Sequence, residues 1–194
     1  MQILHDSINN PIYQPLYRKY HVDTTKFHPR QDLVGKCLLA KLLHVSLAKV
    51  ISGKLFVHGR FGKPYLRSHA LEFNLTNSKA QVILVADSRP VAVDTEKIRP
   101  IDYHRIHRAF TSRELAFLAQ TNQNDLNRLT LKLWTIKEGV LKLIGTGLSG
   151  GARTVRVQLP TMRTAFRKGH QYRLIPYNVT PDYVGVIVKE AYDA

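Results

Sequence analysis

Two carboxylates stand two residues apart at the end of an apolar stretch in Val91-Ala92-Val93-Asp94-Thr95-Glu96. On a strand, that spacing puts both on one face. Like charges side by side are unfavourable unless a cation sits between them. An all-oxygen donor set suits magnesium or calcium better than zinc. The alternative is a solvated strand end, with Lys97 or Arg99 as counter-charge. A second constellation is Trp134-Thr135-Ile136-Lys137-Glu138-Gly139-Val140-Leu141-Lys142. Glu138 and Lys142 stand i, i+4 on a helix, an arrangement that by itself is an ordinary pair worth ~0.2–0.5 kcal/mol. Trp134 lies on the same stripe as a packing anchor. In Phe73-Asn74-Leu75-Thr76-Asn77-Ser78, hydrogen-bonding side chains follow a short strand. They read as a turn, and such a turn can present donors to a phosphate. Gly62-Lys63-Pro64-Tyr65 reads as a loop whose fixed backbone and lysine could hold an anionic, planar ligand.

The elements that must position these groups follow from periodicity. Residues 1–30 are rich in Tyr, His and Pro and have little rhythm. Leu33, Val34, Cys37, Leu38, Lys41, Leu42 and Val45 follow the i, i+3, i+4 spacing of an amphipathic helix, with Lys41 as one polar interruption. Residues 54–57 and 71–75 read as strands, and two glycines and a proline punctuate 58–64 as a loop. Residues 81–86 and 91–93 read as paired strands joined by the turn Asp87-Ser88-Arg89-Pro90. Thr111-Ser112-Arg113-Glu114 fits a capping box. A long helix over about 125–144 has Leu129, Leu133, Ile136 or Lys137, Val140 and Ile144 on its inner face, and Gly145 and Gly147 end it. Residues 154–159, 171–176 and 183–188 read as strands. The fold class is α+β, in two halves, 1–102 and 103–194, with Pro100-Ile101-Asp102 as connector.

Composition narrows the setting. A chain of 194 residues with 44% hydrophobic content can bury a real core. Its single cysteine, Cys37, can form neither an internal disulfide nor a cysteine-rich zinc site. No signal-peptide layout and no apolar run of about 20 residues is visible, so the reading is a soluble, cytoplasmic protein that does not use a membrane. The net charge of +15 favours polyanionic partners. The basic residues are dispersed, however, and no helix-turn-helix, zinc-finger or RNA-recognition signature accompanies them, which argues against nucleic acid.

The order and joint spacing of the motifs add what each lacks alone. Gly62-Lys63-Pro64, then Phe73 to Ser78, then Val93-Asp94-Thr95-Glu96, then Trp134 to Leu148 resembles the 4′-phosphopantetheinyl transferase superfamily, in its long, Sfp-type branch. The resemblance implies a pseudo-dimer of two similar α+β halves in one chain, with the active site in the cleft between them. It implies a monomeric enzyme that moves phosphopantetheine from coenzyme A to a serine of an acidic acyl or peptidyl carrier protein. Mapped onto this sequence, Asp94, Glu96 and Glu138 hold Mg2+, with Mn2+ as the alternative. Glu138 is the general base, and Lys142 approaches the phosphates. Lys63 and Pro64 line the adenine side, Thr76 and Asn77 contact coenzyme A phosphates, and Arg30 or Gln31 takes the place of an early helix arginine. Two positions depart from the pattern. Asn77 stands where the family has a histidine, which removes a titrating charge and implies a coenzyme A affinity less dependent on pH than with histidine there. Gly139 stands where alanine or serine is usual, at a cost of ~1 kcal/mol in a helix interior. A degenerate family member kept as a binding protein is the competing reading.

Overall fold

In the computed structural model, which describes residues 1–147 and 150–191, the apolar runs at 82–86 and 91–93 both form strands but do not pair with each other. The first becomes β5 (Gln81–Asp87), which has an antiparallel neighbour on each side, β1 (Gln2–Ser7) and β4 (Glu72–Ser78). The second becomes β6 (Val91–Lys97), which pairs with β10 (Tyr183–Glu190), Asp94 lying opposite Val186. The expected hairpin is therefore absent. With both edges of β5 taken, β6 has to find another partner, and Pro90 between them has no N–H to add to a ladder.

The chain divides at this point into two units, Met1–Arg89 and Pro90–Ala194. The first unit has the order β1, α1 (Gln14–Lys19), α2 (Phe27–Leu42), α3 (Leu47–Ile51), β2 (Phe56–His58), β3 (Pro64–Leu66), β4, β5. The sheet β1-β5-β4 carries α2, and β2 and β3 form a separate hairpin. Leu33, Val34, Leu38 and Leu42 of α2 meet Phe73, Val82, Leu84 and Ala86 in the core. Residues 76–78, read as a turn, continue β4. Thr76 lies opposite Ile83 and Ser78 opposite Gln81, and the chain reverses only after Ser78. Pairing with β5 overrides the turn propensity of Asn and Ser.

The second unit has the order β6, α4 (Ser112–Ala119), α5 (Gln123–Ile144), β7 (Arg156–Val157), β8 (Thr164–Arg167), β9 (His170–Pro176), β10. Its antiparallel sheet runs β6-β10-β9-β8-β7, with α5 packed on β6 and β10. Leu133, Ile136, Val140, Leu141 and Leu143 supply the helix side of this core, and Leu129 and Ile144 flank it. Asn122 caps α5, and Gly145 closes it at φ +78°, a left-handed conformation cheap only for glycine. The capping box is formed: Thr111 Oγ1 accepts from Glu114 N and a Glu114 carboxylate oxygen accepts from Thr111 N. The segment 100–102 lies inside this unit, where Ile101 N donates to Asn127 Oδ1 at 2.9 Å and Asp102 caps a short 3-10 helix. The strand expected over 154–159 shrinks to β7, and β8 was not foreseen. Among the described residues no helix is long and apolar enough to cross a membrane.

Candidate functional site

The two-residue period of β6 sets Ala92, Asp94 and Glu96 on one face. Ala92 belongs to the core under α5, so the carboxylates at 94 and 96 are directed to the side where α5 lies. Asp94 is 2% exposed. The helix period brings Glu138 and Lys142 over the same strand. Lys142 Nζ lies 2.5 Å from Asp94 Oδ1, so the lysine pairs with the strand carboxylate rather than serving only as the i+4 partner of Glu138. Glu138 shares a hydrogen bond with Asp94. Burial first, and then the charges of Asp94 and Glu96, push the Glu138 carboxyl up to about 8 against the pull of Lys142. Four of the expected site residues are thus one electrostatic cluster within one unit.

Gly139 explains how the helix comes so close. A side-chain carbon there would stand 2.8 Å from Val188 Cγ2 and 3.3 Å from Val186 Cγ1, both on branched, stiff side chains. The departure from alanine or serine lets α5 sit down on β10 next to Glu138. Lys137, the residue before Glu138, is fully buried and forms a 2.8 Å ion pair with Glu114, which is 1% exposed. Its Nζ also donates to Val155 O at 2.5 Å, and Glu114 accepts from Val157 N at 3.0 Å. Sequence reasoning left Lys137 as an alternative to Ile136. Its position on the apolar stripe was the available signal that its charge needs a buried partner.

The expected nucleotide-binding residues lie in the first unit, and the structure separates them. Pro64 and Asn77 line one cavity of about 450 Å3. Thr76 is buried on the opposite face of β4 from Asn77. Lys63 stands 5.0 Å from the Tyr65 ring centroid, with burial lowering its pKa against the pull of Glu72. Arg30 ties α2 to the end of β1: its Nη2 donates to Ile8 O at 3.0 Å and Asn9 Oδ1 at 2.7 Å, and its guanidinium lies over Tyr17. Gln31 lines the cavity, and its amide donates to Lys79 O at 2.8 Å. The motif residue Leu148 lies outside the described residues. The cavity also receives His28 and His58, which sequence reasoning missed because they sit on elements 30 residues apart.

For a divalent cation the donor chemistry fits. Asp94 and Glu138 are in contact, the charge of Glu96 acts on Glu138, and every candidate ligand atom is an oxygen. Among the described residues no three His, Cys, Asp or Glu side chains already stand in metal-holding geometry. The Lys142 ammonium rests on Asp94 instead.

Residues 90–184 match the family model described as the 4′-phosphopantetheinyl transferase superfamily, a segment that contains all four members of the cluster. That segment belongs to the superfamily. The chain is 30% identical over 131 residues to the 4′-phosphopantetheinyl transferase psf-1 of Bacillus pumilus, covering 67% of this chain and 56% of the relative. Against the transferase gsp of Aneurinibacillus migulanus, identity is 31% over 118 residues, with 61% and 49% covered. Against the transferase Sfp of Bacillus subtilis (strain 168) it is 28% over 129 residues, with 64% and 58% covered. In each of these matches the aligned region spans about half of the relative's length, and all are consistent with the Sfp-type branch.

Proposed function

We propose that the protein transfers 4′-phosphopantetheine from coenzyme A to a serine hydroxyl of an apo acyl or peptidyl carrier protein, with magnesium as cofactor, acting as a cytoplasmic monomer. The observation that carries this reading is the contact of Asp94 with both Glu138 and Lys142 inside the family segment. The pseudo-dimer arrangement implied by the motifs, two α+β halves serving one reaction, is part of the same proposal.

Asp94, Glu96 and Glu138 would hold the metal, and Lys142 would give up Asp94 as the cation enters. When bound, the metal neutralises charge on the pyrophosphate. Glu138 takes the proton of the carrier serine. The serine oxygen forms a bond to the β-phosphorus of coenzyme A as the bond to the bridging oxygen breaks, releasing adenosine 3′,5′-bisphosphate. Lys142, freed from Asp94, places its ammonium on the leaving phosphate, where the charge develops.

Incubation with coenzyme A, magnesium and a panel of apo carrier proteins, read by intact mass, tests the reading. One carrier should gain the mass of phosphopantetheine. Excess chelator should stop the reaction, and Asp94→Ala should abolish it while leaving the fold intact. Full transfer in chelator would remove the metal from the mechanism. Binding of coenzyme A with no transfer to any carrier would favour the degenerate, binding-protein reading.

A further inference from the structure

A cavity of the first unit is lined by both apolar and polar side chains, and its volume of about 450 Å3 falls in the range of small-ligand sites. Leu39, Phe56, Phe73 and Leu75 supply apolar lining. Phe73, Leu75 and Asn77 alternate along β4 and so share the face that lines it. Asn77 brings a neutral amide to the place where the family motif has a histidine.

The charged and titratable lining groups are four. His28, Asp32 and Lys36 come from α2 and His58 from β2; α3, β3, β4 and β5 contribute none to the lining. Lys36 Nζ and an Asp32 carboxylate oxygen are paired at 2.7 Å, so these two largely cancel. The two histidines, both exposed, therefore decide the sign of the cavity. His28 lies one helical turn before Asp32 on α2, and His58 comes to the same cavity from β2.

We propose that His28 and His58 supply the phosphate-facing positive charge that Asn77 lacks, and that they take up protons when the phosphate of a 3′-phosphorylated adenine nucleotide enters this cavity. The inference rests on the transferase reading for the identity of the nucleotide. It runs against the expectation that Asn77 in place of a histidine leaves coenzyme A affinity less dependent on pH. The charge has moved to the two other walls of the same cavity.

Calorimetric titration with adenosine 3′,5′-bisphosphate, at pH 6 and pH 8 and in buffers of different ionisation enthalpy, tests it. The phosphate has its own ionisation near pH 6, so the decisive quantity is the difference between proteins titrated with the same ligand. Relative to the double variant His28→Gln/His58→Gln, the native protein should bind roughly tenfold more tightly at pH 6 and nearly equally at pH 8, the signature of histidine charge. It should also take up more protons. Each single variant should fall between. Adding Asn77→His to the double variant should restore the acidic gain. Adenosine, which has no phosphate, should show no difference between proteins. Native and double-variant proteins that bind the bisphosphate with the same pH response would overturn the inference and leave the transferase reading standing. Absence of bisphosphate binding by the native protein at either pH would overturn both.

Discussion

Glu138 is where the acid cluster makes a prediction independent of catalysis. Its carboxyl is pushed from an ordinary 4.5 up to about 8, by burial first and by Asp94 next. The sign follows from linkage: an acid whose folded-state pKa is raised stabilises the fold while protonated and loses that contribution as pH rises. Without metal, thermal stability should therefore fall between about pH 4.5 and 8, and Glu138→Gln should flatten that slope, as thermal melts over the range would record. Magnesium should raise the melting temperature more at pH 8 than at pH 6, because cation binding has to displace the proton. An equal shift at both pH values would place Glu138 outside the metal's reach. That Asp94 and Glu96 share a strand face, and Glu138 and Lys142 a helix face, was legible from period 2 and period 3.6; their grouping as one site came from the family resemblance. The pairing of Lys142 with Asp94 was not, since it depends on which strand lies under α5.

The packing of α5 on β10 and the buried pair behind it belong to the element scale. Gly139→Ala should gain up to ~1 kcal/mol of helix propensity, yet the new carbon would stand 2.8 Å from Val188, and overpacking typically costs about 1–3 kcal/mol. The expected outcome is a net loss in the denaturation midpoint, accompanied by weaker metal binding as the helix lifts Glu138 away from Asp94. A gain in stability would show that the strand yields freely. Lys137→Met should cost about 3–5 kcal/mol, because it leaves the Glu114 carboxylate buried without its cation, and urea denaturation would measure it. The end of α5 at Gly145 and the capping box of α4 were readable from local residue types, whereas α2 starts at Phe27, ahead of the apolar rhythm that begins at Leu33, and α1 and α3 were not expected. The partners of β5 and β6 were not, because nothing in an apolar run encodes which edge it will join. Residues 1–7 look unpatterned, yet they form the strand β1 that displaces β6 from β5.

For the whole molecule, the surplus of 29 basic over 14 acidic residues sets how it meets partners. An acidic carrier protein should be captured with a KM that climbs with salt, since exposed charges are screened over ~8 Å at physiological ionic strength. A KM that stays flat from about 50 to 300 mM salt would count against long-range steering. The order of the strands along the chain has a different consequence, for synthesis. The first unit closes its sheet as soon as Asp87 is available, because β1, β4 and β5 are all in place by then. The second waits nearly a hundred residues longer: Val91 begins its pairing opposite Lys189, and β10 fills the slot between β6 and β9. On a ribosome the first unit can fold while the chain is still growing. Through that interval β6 remains an unsatisfied apolar strand. The nascent second half is then the part most exposed to aggregation, and the part for which a chaperone, or a pause in translation, would make the most difference.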